Sequence, residues 1–131
     1  MADELPIGVK AFIAEHIHSV EQLEVLLLLR TDPSKEWSAE AVSREIRSNP
    51  TSAAHRLSGL YAHGLLEVRQ DSEPLYRYSP RTKELEKSVT MLAHAYTLYR
   101  VKIVELIYSR PKDRLLTFAD AFRLKKESKD G

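Results

Sequence analysis

The side chains with reactive chemistry are few and far apart. The sequence holds five histidines, at 16, 18, 55, 63 and 94, and no cysteine. Without a thiol there is no disulfide, no thiolate metal ligand and no cysteine nucleophile. His16 and His18 stand two apart and would face different ways on a helix, a poor metal pair. His55, His63 and His94 match no H-E-x-x-H spacing, and the four glycines form no phosphate-cradling loop. Each histidine reads as a surface or packing residue, so neither an enzyme nor a cofactor or metal is expected. What remains is hydrogen-bonding and charge chemistry. Ser52, His55 and Arg56 share the face of one short stretch that points away from Leu57 and Leu60. Arg44 and Arg47 precede them, and Arg69 and Arg77 follow.

Net charge is +1 over 131 residues, which gives no bulk attraction to polyanions. The charge is uneven, however. Residues 1 to 37 carry three basic and seven acidic groups, and residues 110 to 131 carry seven basic and four acidic groups. The basic tail is a candidate contact for a protein partner or nucleic acid, although such tails are commonly just solvated. Residues 38 to 87 hold eight basic and seven acidic groups. Asp71 and Glu73 fall in a turn where a polyanion binder would place a base, which predicts weak phosphate attraction. The first residues, MADELPIGVK, show no secretory signal, and the apolar run VLLLL is too short to span a membrane. A soluble cytoplasmic protein without a membrane partner is expected.

These groups need elements to hold them. A weak helix is expected over residues 7 to 16. In HSVEQLEVLLLLRTDP, Ser19 caps a helix and Gln22 returns the bond, a capping box. Ile17 or His18 staples against Leu23, and TDP ends the run. Ser38 caps a short helix, with Trp37 as its staple and Ala39, Val42 and Ile46 as its buried stripe. Asn49-Pro50 breaks the chain. Thr51 is expected to cap the next helix, whose inner stripe is Ala54, Leu57, Leu60 and Tyr61 and whose terminator is Gly64.

The period then changes to that of strands. LLEVRQ and LYRYS, joined by DSEP, predict a hairpin that must lean on the helices. From residue 82 no breaker intervenes before Pro111. Leu85, Val89, Leu92, Tyr96, Tyr99, Ile103 and Leu106 alternate by four and three, the seam of a dimerising helix. Val101, Val104, Ile107 and Tyr108 offer a second apolar surface. Tyr96 and Tyr99 are candidates to line an effector pocket, with core packing as the plainer reading. Leu115, Phe118, Ala119 and Phe122 predict a last short helix.

The expected fold is mainly α with a small β-hairpin wing: a winged helix-turn-helix over residues 1 to 81, then a long C-terminal dimerisation helix and basic tail over 82 to 131. Thr51, Ala54, Leu57 and Leu60, then Gly64-Leu65-Leu66, the hairpin and YRYSP leading into a helix, resemble the winged helix-turn-helix of bacterial transcriptional regulators. The likeness covers residues 19 to 83. A long helix after the wing also resembles regulators of the MarR, PadR and ArsR kinds, among which the residues do not choose.

The resemblance implies a homodimer bound to double-stranded DNA. Ser52, His55 and Arg56 would enter the major groove, Arg56 forking onto a guanine. Arg44, Arg47, Arg69 and Arg77 would hold phosphates. The alternative is a winged-helix protein-interaction module that does not bind DNA.

Overall fold

The computed structural model describes residues 5–109. The short helix expected from Leu115, Phe118, Ala119 and Phe122, and the basic tail, lie outside the described residues. Helix α1 (Ile7–His16) is followed by α2 (Val20–Arg30), α3 (Ala39–Ile46) and α4 (Pro50–Ala62). Strands β1 (Leu66–Gln70) and β2 (Pro74–Tyr78) form the hairpin, and α5 (Lys83–Leu98) and α6 (Arg100–Tyr108) complete the order.

Local chemistry sets most of these boundaries. Ser19 Oγ accepts from Gln22 N at 3.0 Å. The Gln22 amide oxygen returns to His18 N at 2.6 Å rather than to Ser19. Ile17 and Leu23, the expected staple, are both fully buried. Ser38 caps α3 through Ala41 N at 3.1 Å. The start of α4 differs from expectation. Asn49 Oδ1 accepts from Ser52 N at 2.8 Å with Pro50 inside the first turn, so Thr51 is not the cap. An Asn cap followed by proline uses a ring that fixes φ and lacks an N–H that would have no helical partner anyway.

The inner face differs from expectation too. Ala53, Leu57 and Leu60 are fully buried, whereas Ala54 is exposed and Tyr61 is 46% exposed. Gly64 ends α4 at φ +80°, a left-handed position that glycine adopts without a Cβ clash.

The hairpin pairs antiparallel with Leu66 opposite Tyr78 and Gln70 opposite Pro74. Trp37 adds an isolated bridge on the outer side of β2, exchanging two 2.8 Å backbone bonds with Tyr76. Its buried ring thus anchors the wing to the segment before α3, beyond the staple role expected of it. α3 and α4 pack on each other, α2 packs on α4 and β2, and α1 packs on α5. Their buried faces join in a single apolar core that also takes in Ile103 and Ile107 of α6.

The long helix is broken. α5 ends at Leu98, and Tyr99 takes φ −131° and ψ 44° before α6 begins. No proline or glycine marks the site. Thr97 Oγ donates back to Ala93 O at 3.2 Å, a side-chain bond that bends helices, and β-branched Val101, Ile103 and Val104 follow.

The predicted seam points inward. Val89, Leu92 and Ile103 are fully buried within the protomer, and Leu85, Tyr96, Tyr99 and Leu106 are half-buried against the same core. A parallel row one step round the helices, Met91, His94, Leu98, Val101, Glu105 and Tyr108, is exposed throughout. Of the second surface named from the sequence, Val101 and Tyr108 are exposed, Val104 is half-buried and Ile107 is buried.

Candidate nucleic-acid interface

The turn between α3 and α4 is tight. Arg47 ends α3 at φ 59°, and Ser48 N bonds to Ser43 O at 2.9 Å. This presents the first turns of α4 outward. Thr51, Ala54, His55 and Ser58 line its exposed face, and the hairpin stands beside it.

The side chains expected to act as readers are not equally free. Glu21, in the first turn of α2, reaches across to α4. One carboxylate oxygen accepts from Ser52 Oγ at 2.5 Å and from Arg56 Nε at 2.7 Å, and the other accepts a short hydrogen bond from Ser48 Oγ. The Glu21 and Arg56 side chains are 23% and 28% exposed. Burial pushes the Glu21 carboxyl up. The bonds from Ser48, Ser52 and Arg56, together with the Arg56 charge, outweigh it and hold the pKa at about 2.

The other arginines are paired as well. Arg44 meets Glu40 one turn earlier on α3 at 3.1 Å. Arg69 forks onto both oxygens of Glu36 at 2.9 Å. This fork holds the Glu36 carboxyl below and the Arg69 guanidinium above their usual ranges. Arg77 bonds Glu67, its cross-strand partner in the hairpin register, and Ser79 Oγ donates to the same carboxylate at 3.1 Å. Of the five candidate arginines, only Arg47 meets no carboxylate among the described residues. His55 is exposed.

The chain brings three histidines together that looked scattered in the sequence. His16 Nδ1 lies 2.8 Å from His63 Nδ1, so one ring must donate to the other. The His18 ring lies 5.7 Å from that of His63. Burial lowers the His16 pKa, Glu15 raises it and His63 lowers it further. With 47 residues between His16 and His63, no local pattern signals the pair. Among the described residues, no three His, Asp or Glu side chains are grouped to hold a metal ion.

Two surface depressions flank α4 and α2. One, of about 520 Å³, lies at the base of the wing beside Tyr61, Glu67 and Arg81. The other, of about 430 Å³, is bordered by Leu27, Leu28, Ile46 and Tyr96. Tyr96 is therefore at a cleft, while Tyr99 packs against the core.

No protein-family model matches the chain, and no curated protein is significantly similar to it. Solved structures are. The chain superposes on the Staphylococcus aureus MepR F27L mutant, solved bound to an oligodeoxyribonucleotide, with a TM-score of 0.54 at 10% identity. That match covers 86% of this chain and 82% of MepR. It superposes on RV1404 from Mycobacterium tuberculosis with a TM-score of 0.50 at 16% identity, over 92% of this chain and 86% of the other. The multiple antibiotic-resistance repressor (MarR) of Listeria monocytogenes 4b F2365 follows at 0.49 and 18% identity, over 86% and 78%.

The fold is a MarR-like winged helix. Six helices and one antiparallel hairpin among the described residues are arranged as in that class. β1–β2 is the wing of that fold, and α4 is the helix that immediately precedes it. No helix among the described residues is long and apolar enough to cross a membrane.

Proposed function

We propose that the protein is a dimeric DNA-binding transcriptional regulator of the cytoplasm that acts without catalysis. The observation that carries this reading is α4 itself. It is capped by Asn49, anchored by Ala53, Leu57 and Leu60, and left bare on its outer face beside the wing. A helix presented in this way places its first turns in a major groove. Thr51, His55 and Ser58 then face base edges directly, and Ala54 offers a methyl to thymine. Arg47 meets a phosphate. Ser52 and Arg56 join once they leave Glu21, and Arg44, Arg69 and Arg77 are the further backbone contacts.

The homodimer supplies a second half-site. Its surface is best sought on the exposed row of α5 and α6. Met91 is 41% exposed, Leu98 58%, Val101 69% and Tyr108 75%. Gly8 of α1 lies against Met91, and the neighbouring Ile7 is also exposed. Covering these side chains removes more apolar surface from water than covering the seam from Leu85 to Leu106, which already packs within the protomer.

Fluorescence anisotropy on mixed genomic duplexes, at low and moderate salt, tests the reading. Binding that weakens with salt supports it, and no binding at low salt refutes it. A second reading, a winged-helix protein-interaction module, is favoured by the carboxylate pairing of Arg44, Arg56, Arg69 and Arg77. Those pairs cancel the positive field on which phosphate attraction depends. It predicts a partner protein and no duplex affinity, with the basic tail a candidate contact.

A further inference from the structure

Three donors converge on one carboxylate at the front edge of α4. Ser48, Ser52 and Arg56 stand four residues apart, so Ser52 and Arg56 lie one turn apart on the same edge of the helix and Ser48 continues the line into the turn. Their Oγ, Oγ and Nε atoms all point at Glu21, which comes from a different helix. Two hydroxyls and a guanidinium beside a helix N-terminus form the donor set that proteins use for a phosphate oxyanion. A carboxylate presents the same thing to those donors: a compact negative group with acceptors on both oxygens.

We propose that Glu21 occupies a DNA-phosphate position, and that its carboxylate competes with the duplex backbone for Ser48, Ser52 and Arg56. Glu21 is then an autoinhibitory residue that sets the affinity of the interface. The inference rests on the DNA-binding reading given above. A duplex engages this edge by drawing Ser52 and Arg56 away from Glu21, leaving one acidic side chain close to the backbone. Both effects oppose binding, and both vanish when Glu21 is removed. Arg47, with no carboxylate partner among the described residues, carries the phosphate contact that remains available throughout.

The test uses the full chain, wild type and Glu21→Ala, with mixed genomic duplexes as one probe and inorganic phosphate as the other. The variant is expected to bind duplex more tightly, and the slope of log affinity against log salt should steepen. The steepening is about 0.9 for each additional phosphate neutralised, or roughly a further 3.5-fold loss for each between about 50 and 200 mM salt. Millimolar phosphate should raise the Tm of Glu21→Ala more than that of the wild type. Where Glu21→Ala does not fold, Glu21→Gln keeps the shape, removes the charge and predicts the same steeper slope.

Equal or weaker duplex binding at an unchanged slope, with no extra phosphate protection, overturns the proposal and leaves Glu21 as a strut between α2 and α4. If neither protein binds duplex but phosphate protects the variant selectively, the regulator reading fails and the oxyanion site stands.

Discussion

The Glu21 cluster makes a stability prediction that does not depend on DNA. Glu21→Gln keeps the side chain's size and removes its charge, so it isolates what the ion pair and the charge-assisted bonds contribute. A carboxyl held at about 2 in place of its ordinary 4.5 corresponds to roughly 3 kcal/mol in favour of the folded state, at about 1.4 kcal/mol per pH unit. The pair is about a quarter exposed, and solvent screening reduces such gains to about 1 kcal/mol. For a domain of this size that is a fall in Tm of roughly 3–5 °C at neutral pH.

The pH window follows from the direction of the shift. A depressed carboxyl stabilises the fold fully above pH 4.5, and the advantage disappears as pH falls from there towards 2. Thermal melts of wild type and Glu21→Gln should therefore differ at neutral pH and converge near pH 2. A gap that persists unchanged into acid would mean that the loss is one of packing and not of charge. No gap at neutral pH would mean that the three bonds contribute nothing net, and either outcome refutes the reasoning.

Other consequences are more local. His16 has a folded pKa below its ordinary 6.5, so the unfolded chain takes up the proton first. Stability should fall as pH drops below 6.5 and level off beneath the lowered value, and His16→Gln should flatten this part of a pH series of denaturant melts. Gly64→Ala places a Cβ at φ +80°, 3.1 Å from the Arg81 guanidinium carbon. The arginine end can shift but the backbone strain stays, so a loss of about 1–2 kcal/mol is expected by urea unfolding. A loss below a few tenths would show that the turn relaxes. Val101→Glu should yield folded monomers by light scattering, because Val101 is 69% exposed on the protomer and the core does not use it. Leu92→Glu, at a fully buried site, should instead unfold the chain.

Much of the frame was legible from local pattern. The Ser19 and Ser38 caps, the Gly64 terminator and the change from helical to strand period at the hairpin are each signalled within four residues, and the structure has all of them. The differences lie where two local signals compete. Asn49 and Thr51 are both good cap residues, and Pro50, which favours the first helical position, settles the start on Asn49. The break at Tyr99 carries no glycine or proline, only a threonine able to bond back one turn. In the candidate site, the exposure of His55 was readable from helical period. The state of Ser52 and Arg56 was not.

By itself the sequence determined the order of helices and hairpin and the caps at Ser19 and Ser38, because caps, turns and periodicity act over a few neighbouring residues. The tertiary structure decided that the apolar row from Leu85 to Leu106 is spent on the protomer's own core, with α1 packed on α5, and is not left open as a seam. It also decided which charges are already paired. Glu21 meets Arg56 across 35 residues and Glu36 meets Arg69 across 33. A hydrogen bond depends on a few ångströms between side chains from different elements, and residue spacing along the chain carries no record of that distance.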